Sequence, residues 1–261
     1  EVPSRVRVRF TAISAYCPHW PAALPMLLSN TSSTEARPEG LRWVEPLKIT
    51  SCIESPRSAE APGPTGFEGP VRTVVRRELT PLADAVETDG LGSLIARLDG
   101  AAGAPRVMLA AHMDELGLLV RRITPEGYLK FQPLGGWLDQ AIVNQRWRVL
   151  TSKGPVLGLT GIKTVHVMTA EARGRVFGRD DLFIDVGAAD AKDAEERLGI
   201  CPGDPVVPDS RFEVMAGGAR YLGKAWDDRA GVGVLIEAVR ALRVAGHPNT
   251  VFAAATVQEE V

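Results

Sequence analysis

Arg106-Val-Met-Leu-Ala-Ala-His-Met-Asp-Glu-Leu-Gly-Leu-Leu-Val120 is the stretch whose reading decides the fold. Val107 to Ala111 is an unbroken apolar run. It is short enough for a strand buried on both faces, as in a parallel sheet covered by helices. The run ends on His112 and Asp114. In extended chain, residues two apart point the same way, so both side chains face one place at the strand's carboxyl end. Open α/β sheets put their ligand sites there. A neutral imidazole is a natural metal ligand. A carboxylate two residues on can take the ring's other N–H and so fix tautomer and orientation. The plainer alternative is a solvated histidine in a loop, and His-x-Asp by itself is too short to exclude it.

The other end of the chain changes the balance. Gly223-Lys-Ala-Trp-Asp-Asp-Arg-Ala-Gly231 runs straight into a helix with the apolar stripe Val232, Leu235, Ile236, Val239 and Leu242, ended by Gly246. Asp228 can cap that helix, which leaves Asp227 unexplained. His247, just past the helix, reads as a turn contact near its C-terminus. Val251 to Val257 is a second wholly apolar strand and ends on Gln258-Glu259-Glu260. Two strands thus end in metal-compatible side chains, and a loop before a helix adds two aspartates. Carboxylates gathered at strand ends are costly unless a cation or a proton compensates. An aspartate can bridge two ions ~3.5–4 Å apart, the spacing of hydrolytic two-metal sites. Of two adjacent glutamates, one can ligate while its neighbour acts as general base. Each acid alone reads as ordinary surface; together, all at element ends, they read as a metal site.

Upstream, residues 1–58 are irregular, rich in Pro, Ser, Arg and Thr, and Asn30 to Gly40 reads as linker. Cys17-Pro-His19 lacks a second pair of ligands and reads as surface. Order begins at Ala61-Pro-Gly-Pro-Thr-Gly-Phe-Glu68. Pro70 then sits in the first turn of a helix with Val71, Val74, Val75 and Leu79 on one face. Ala83–Thr88 and Ser93–Leu98 read as strands about Asp89-Gly90-Leu91-Gly92. After Val120 the texture becomes strand and turn, with hairpin arms Arg146–Leu150 and Pro155–Leu159 about Ser152-Lys-Gly154. Residues 122–206 therefore read as a small β-rich domain inserted into an α/β domain made of 59–121 plus 207–261. His166 within it reads as structural rather than as a ligand.

Composition narrows the function. A net charge of -2 gives no reason to expect nucleic acid or an anionic membrane. No apolar run approaches the ~20 residues that span a bilayer. The three cysteines, Cys17, Cys52 and Cys201, are odd in number and scattered, which favours a reducing compartment over a disulfide framework.

Ala61–Glu68, Ala111-His-Met-Asp-Glu-Leu-Gly117, Leu134-Gly-Gly-Trp137, Ile184-Asp-Val-Gly-Ala188, Gly223–Gly231 and Thr256-Val-Gln-Glu-Glu-Val261 together resemble the cytosolic metallo-aminopeptidases that include glutamyl aminopeptidase and the tetrahedral (TET) aminopeptidases, some of which were once labelled endoglucanases. The resemblance implies an α/β fold, a mixed sheet covered by helices, with an inserted small β-barrel domain. It implies two divalent metal ions, zinc or cobalt. His112 would ligate one ion, Asp227 bridge both and Glu260 ligate the second. Asp114 would orient His112, and Glu259 would pass a proton from water to the leaving amine. The substrates would be peptides with a free N-terminus. The resemblance further implies a cytoplasmic homo-oligomer, from dimer to dodecamer, with no nucleic acid and no membrane.

The family also continues past Gln-Glu-Glu and draws a further aspartate and histidine from there. Two protein ligands per ion is fewer than a catalytic zinc site normally has. The expectation for these 261 residues alone is therefore an inactive, poorly soluble front part of an enzyme. The segment before residue 58 lacks the family's opening helix, and Thr65 and Ser93 stand where the family more often has Ser and Asn. Three other readings remain: a non-catalytic homologue, a related di-metal deacylase or carboxypeptidase, and a glycosidase using Glu259 and Glu260. Neighbouring residues at one strand end suit the glycosidase badly, because its carboxyls flank the bond from opposite faces.

Overall fold

The computed structural model describes residues 59–216 and 221–261. The segment 1–58, with Cys17-Pro-His19, lies outside the described residues. The first helix, Gly69–Leu79, carries Pro in its first turn and buries Val71, Val75 and Leu79. The strands β1 (Ala85–Thr88) and β2 (Leu94–Leu98) then form an antiparallel hairpin. Asp89 shapes its turn by accepting the N–H groups of Leu91, Gly92 and Ser93 at 3.0, 2.8 and 2.8 Å. β3 (Val107–His112) follows. Six strands come next: β4 (Gly117–Ile123), β5 (Leu129–Leu134), β6 (Arg146–Thr151), β7 (Gly154–Gly161), β8 (Phe183–Asp185) and β9 (Pro205–Pro208). A short antiparallel pair, β10 (Glu213–Val214) and β11 (Tyr221–Leu222), leads to the long helix Trp226–Ala245 and to β12 (Val251–Thr256).

The main sheet has the order β1-β2-β12-β3. β12 runs antiparallel to β2 and parallel to β3, with Thr256 opposite His112. One apolar core joins the first helix (Val71, Val75, Leu79), β2 (Leu94, Ala96, Leu98), β12 (Val251, Ala253, Ala255) and the long helix (Val232, Leu235, Ile236, Val239). Each fully buried valine or leucine of this set contributes roughly 1.5–3 kcal/mol. This packing fixes where the carboxyl ends of β3 and β12 lie.

β3 departs from the expectation of a strand buried on both faces in a parallel sheet. It is the edge of a mixed sheet, and Val107 and Met108 are 39% and 64% exposed. The cause is topological: among the described residues no strand pairs with its second edge. Only its carboxyl end is enclosed, from Ala111 onward.

The six strands β4-β5-β8-β7-β6-β9 close into an antiparallel barrel around a second core that includes Leu118, Val120, Leu129, Phe131, Trp147, Val149, Ile184 and Val206. The barrel strands begin at Gly117 and end at Pro208, wider than the 122–206 read from texture. The apolar run Leu118-Leu119-Val120 conceals the transition, because Leu118 and Val120 already face the barrel interior. Gly117 marks the junction. A Cβ there would meet the Pro64 side chain at 2.7 Å and the Val206 carbonyl at 2.9 Å. Among the described residues no helix is long and apolar enough to cross a membrane.

Candidate metal centre

Because β3 and β12 are parallel neighbours, what leaves their carboxyl ends meets. His112 is the last residue of β3, and Gln258-Glu259-Glu260 follows β12. The third contributor is the start of the long helix. Asp227 and Asp228 have non-helical backbone angles and are joined by a cis peptide bond, so the regular helix begins after them. Asp228 Oδ1 accepts the N–H of Gly231 at 3.0 Å, the capping role expected of it. A Cβ at residue 231 would run into that carboxylate, which accounts for the glycine. Asp227 is left to point elsewhere.

It points at His112. Asp227 Oδ1 lies 3.0 Å from His112 Nε2 across 115 residues of sequence. Glu259 Oε2 is 3.8 Å from the same nitrogen. One ligand atom from each of His112, Glu259 and Glu260 lies within 4.8 Å of the other two. On the opposite side of the ring, Nδ1 is 3.4 Å from Asp114 Oδ1, too long for a firm hydrogen bond. Both atoms are buried without a hydrogen-bond partner. His166 lies in a short 3₁₀ turn, exposed, and takes no part in this gathering.

Asp114 is fully buried. Its Oδ2 accepts the N–H of Glu260 at 2.9 Å and lies 2.9 Å from the Thr65 hydroxyl. That hydroxyl is also 2.6 Å from the Glu260 carbonyl, so its single proton serves one acceptor at a time. Glu68, also buried, accepts the N–H of Gly66 at 2.8 Å and of Gln258 at 3.2 Å. The Ala61–Glu68 loop thus holds the Gln-Glu-Glu segment in place. Sequence reading missed Thr65 and Glu68 as site residues. Their signal was membership of the Ala61–Glu68 block, although nothing in the spacing paired them with residues so far along the chain. It also missed Glu115, Lys224 and Arg229, which lie buried behind the centre. Their signal was charge next to segments that read as buried, where a charge needs a partner.

The charges at the centre are out of balance. Burial disfavours the imidazolium of His112, but Asp114 and Asp227 outweigh it and push the imidazole pKa up to about 9. Burial raises Asp114, yet His112 and the N–H groups of Glu260 and Glu259 draw it down to about 2. Glu260 is raised by burial and by the negative charge of Asp227. Asp228 is raised chiefly by burial. A proton on His112 would compensate these acids, and a divalent cation can take its place. The donor set, one imidazole nitrogen with carboxylates of Asp227, Glu259 and Glu260 beside it, suits a divalent cation. The residues present therefore fit a metal.

Thr65→Val keeps the side-chain volume but removes the hydroxyl between Asp114 and Glu260. It is expected to cost about 1–3 kcal/mol in chemical denaturation, because one of these enclosed acceptors, Asp114 Oδ2 or the Glu260 carbonyl, loses the hydroxyl proton. Thr65→Ser is expected to stay near the parent. A loss confined to Thr65→Ser, with Thr65→Val near the parent, would place the cost in the methyl group instead.

Fold and site together define an α/β protein with a metal-compatible centre at its strand ends and a closed barrel alongside. A family model for the M42 glutamyl aminopeptidase matches residues 92–261. The chain belongs to that family of metallo-aminopeptidases. It is 34% identical to the glutamyl aminopeptidase of Lactococcus lactis subsp. cremoris (strain MG1363) over 200 residues, 76% of this chain and 56% of that protein. The TET aminopeptidase from the marine sediment archaeon Thaumarchaeota archaeon SCGC AB-539-E09 superposes with a TM-score of 0.77 at 42% identity, covering 82% of this chain and 59% of that one. The TET1 peptidase of Pyrococcus horikoshii, which can assemble into a tetrahedron or a large octahedral shell, gives 0.71 at 34% identity over 82% of this chain and 62% of that one. The chain spans a little over half the length of the curated relatives it matches.

Proposed function

We propose that the chain supplies the core of a di-metal aminopeptidase centre, in which His112, Asp227 and Glu260 hold two divalent ions, zinc or cobalt. One observation carries this reading: His112 Nε2 is 3.0 Å from Asp227 Oδ1 and shares its surroundings with Glu259 and Glu260, although they come from distant parts of the chain. When bound, such ions would supply Lewis acidity toward water and toward a scissile carbonyl. Everything else falls to the protein. Asp114, fully buried, faces Nδ1 of His112 and holds the ring so that Nε2 looks into the centre. Glu259, 62% exposed at its side chain, reaches solvent at the centre. Its carboxylate takes a proton from water and hands it to the departing amine.

The substrate preference follows the family: the chain is 34% identical to a glutamyl aminopeptidase over 76% of its length. This supports an aminopeptidase ahead of a carboxypeptidase. By analogy with the TET1 peptidase, which can assemble into a tetrahedron or a large octahedral shell, the protein works as a homo-oligomer. The barrel offers exposed Leu157 and Leu159 as apolar contact surface for that purpose.

The test compares a peptide bearing a free amino terminus with its N-acetylated twin. It is set at the full length of the family, because the chain spans 56% of the glutamyl aminopeptidase it matches. Hydrolysis of the free peptide alone, lost on chelation and restored by zinc or cobalt, is the expected result. Cleavage of the acetylated peptide, or indifference to the chelator, would contradict the reading.

A further inference from the structure

We propose that Glu115, Lys224 and Arg229 form a buried ionic clamp that sets the spacing between His112 and Asp227 and so tunes metal affinity. The inference rests on the metal reading above and assigns positioning residues to it. The three side chains are only 2%, 6% and 5% exposed. Lys224 Nζ donates to both Glu115 oxygens, at 2.5 and 2.8 Å. Arg229 Nη2 lies 3.7 Å from Glu115 Oε1. The Arg229 Nε donates to the carbonyl of Met113 at 2.6 Å, and its Nη1 to the carbonyl of Ala61 at 3.2 Å. Glu115 Oε1 also accepts the N–H of Gly63 at 3.0 Å.

These bonds join three segments. Met113 directly follows His112, and Arg229 lies two residues after Asp227, so the Arg229–Met113 bond ties the backbones of the two facing groups by a short route. Met113 is pinned on its other side as well, its N–H donating to Thr256 at 2.8 Å. Through Gly63 the clamp reaches the loop that brings Thr65 to Asp114. Burying three charges is expensive, and apolar packing would hold these segments together without that cost. An apolar contact, however, has no direction. A planar guanidinium bonded to a named carbonyl fixes distance and angle. Supporting partners of this kind are worth about 10–100-fold in metal affinity.

The test titrates the protein at the full length of the family with Co2+ alone, followed by its d–d absorption, and with Zn2+ by calorimetry. The variant is Glu115→Gln with Lys224→Met, which removes the ion pair, conserves volume and leaves an acceptor for Gly63. The expected result is at least about tenfold weaker Co2+ binding with a changed absorption spectrum, in a metal-free protein that stays folded at a lowered melting temperature because Arg229 keeps its buried charge without Glu115. Should the double variant not fold, Arg229→Lys, which keeps the buried charge but loses the planar fork bonded to Met113 and Ala61, carries the test with the same two readouts. Parent-like affinity and spectrum in the folded variant would overturn the clamp and leave the metal reading standing. A parent chain that binds no Co2+ would overturn both.

Discussion

Asp227→Asn is expected to weaken zinc or cobalt binding by more than about 100-fold, beyond what loss of a mere supporting partner costs. The substitution is close to isosteric, so packing does not change. What goes is a negative charge and an anionic oxygen facing His112 Nε2 at 3.0 Å. A neutral amide oxygen is a poorer donor to a borderline divalent ion. The fold should survive, because Asp227 is 47% exposed at its side chain and Asp228, its neighbour, performs the capping. Metal analysis of the dialysed protein, together with its melting curve, checks the prediction. A variant that retains the parent's metal content would remove Asp227 from the bridging position.

Glu259→Gln has the opposite signature. Metal content is expected to hold within a few-fold, while peptide hydrolysis at family length falls by roughly 10²–10⁴. Glutamine cannot take a proton from water, yet it fills the same space at the same strand end. The comparison with Glu260→Gln is what gives the experiment force, since both glutamates present an oxygen within 4.8 Å of His112. Glu260 is the more enclosed of the two, held by its N–H to Asp114 and lying beside Gly135, where a Cβ would come to 3.5 Å from its carboxylate. If Glu259→Gln emptied the centre and Glu260→Gln did not, the two roles would have to be exchanged.

The local parts of this site could be read from the chain because they are written in local patterns. Apolar runs of strand length end on His112 and on Gln258-Glu259-Glu260, and an apolar stripe of helical period begins just after Asp227-Asp228. The resemblance linked these segments, and the parallel pairing of β3 with β12 explains physically why they meet. What stayed hidden depends on partners distant in sequence. Thr65 meets the Glu260 carbonyl across 195 residues, and Lys224 meets Glu115 across 109. No periodicity reports such a pair. The edge position of β3 was hidden for a related reason: five apolar residues in a row look the same whether one side of the strand is covered or open. The onset of the barrel at Gly117 was masked because apolar residues lie on both sides of the junction, some in the sheet core and some in the barrel core.

The acids gathered about the elevated imidazole of His112 fit a bound cation, as proposed, and Asp228 caps the helix while Asp227 faces the histidine. The measurement that tests this most directly is a crystal structure of the protein grown with zinc, with data collected at the zinc absorption edge. The account predicts anomalous peaks about 2.0–2.2 Å from His112 Nε2 and from carboxylate oxygens of Asp227 and Glu260. Zinc bound elsewhere, with His112 still paired to Asp227 and no peak between them, would contradict it.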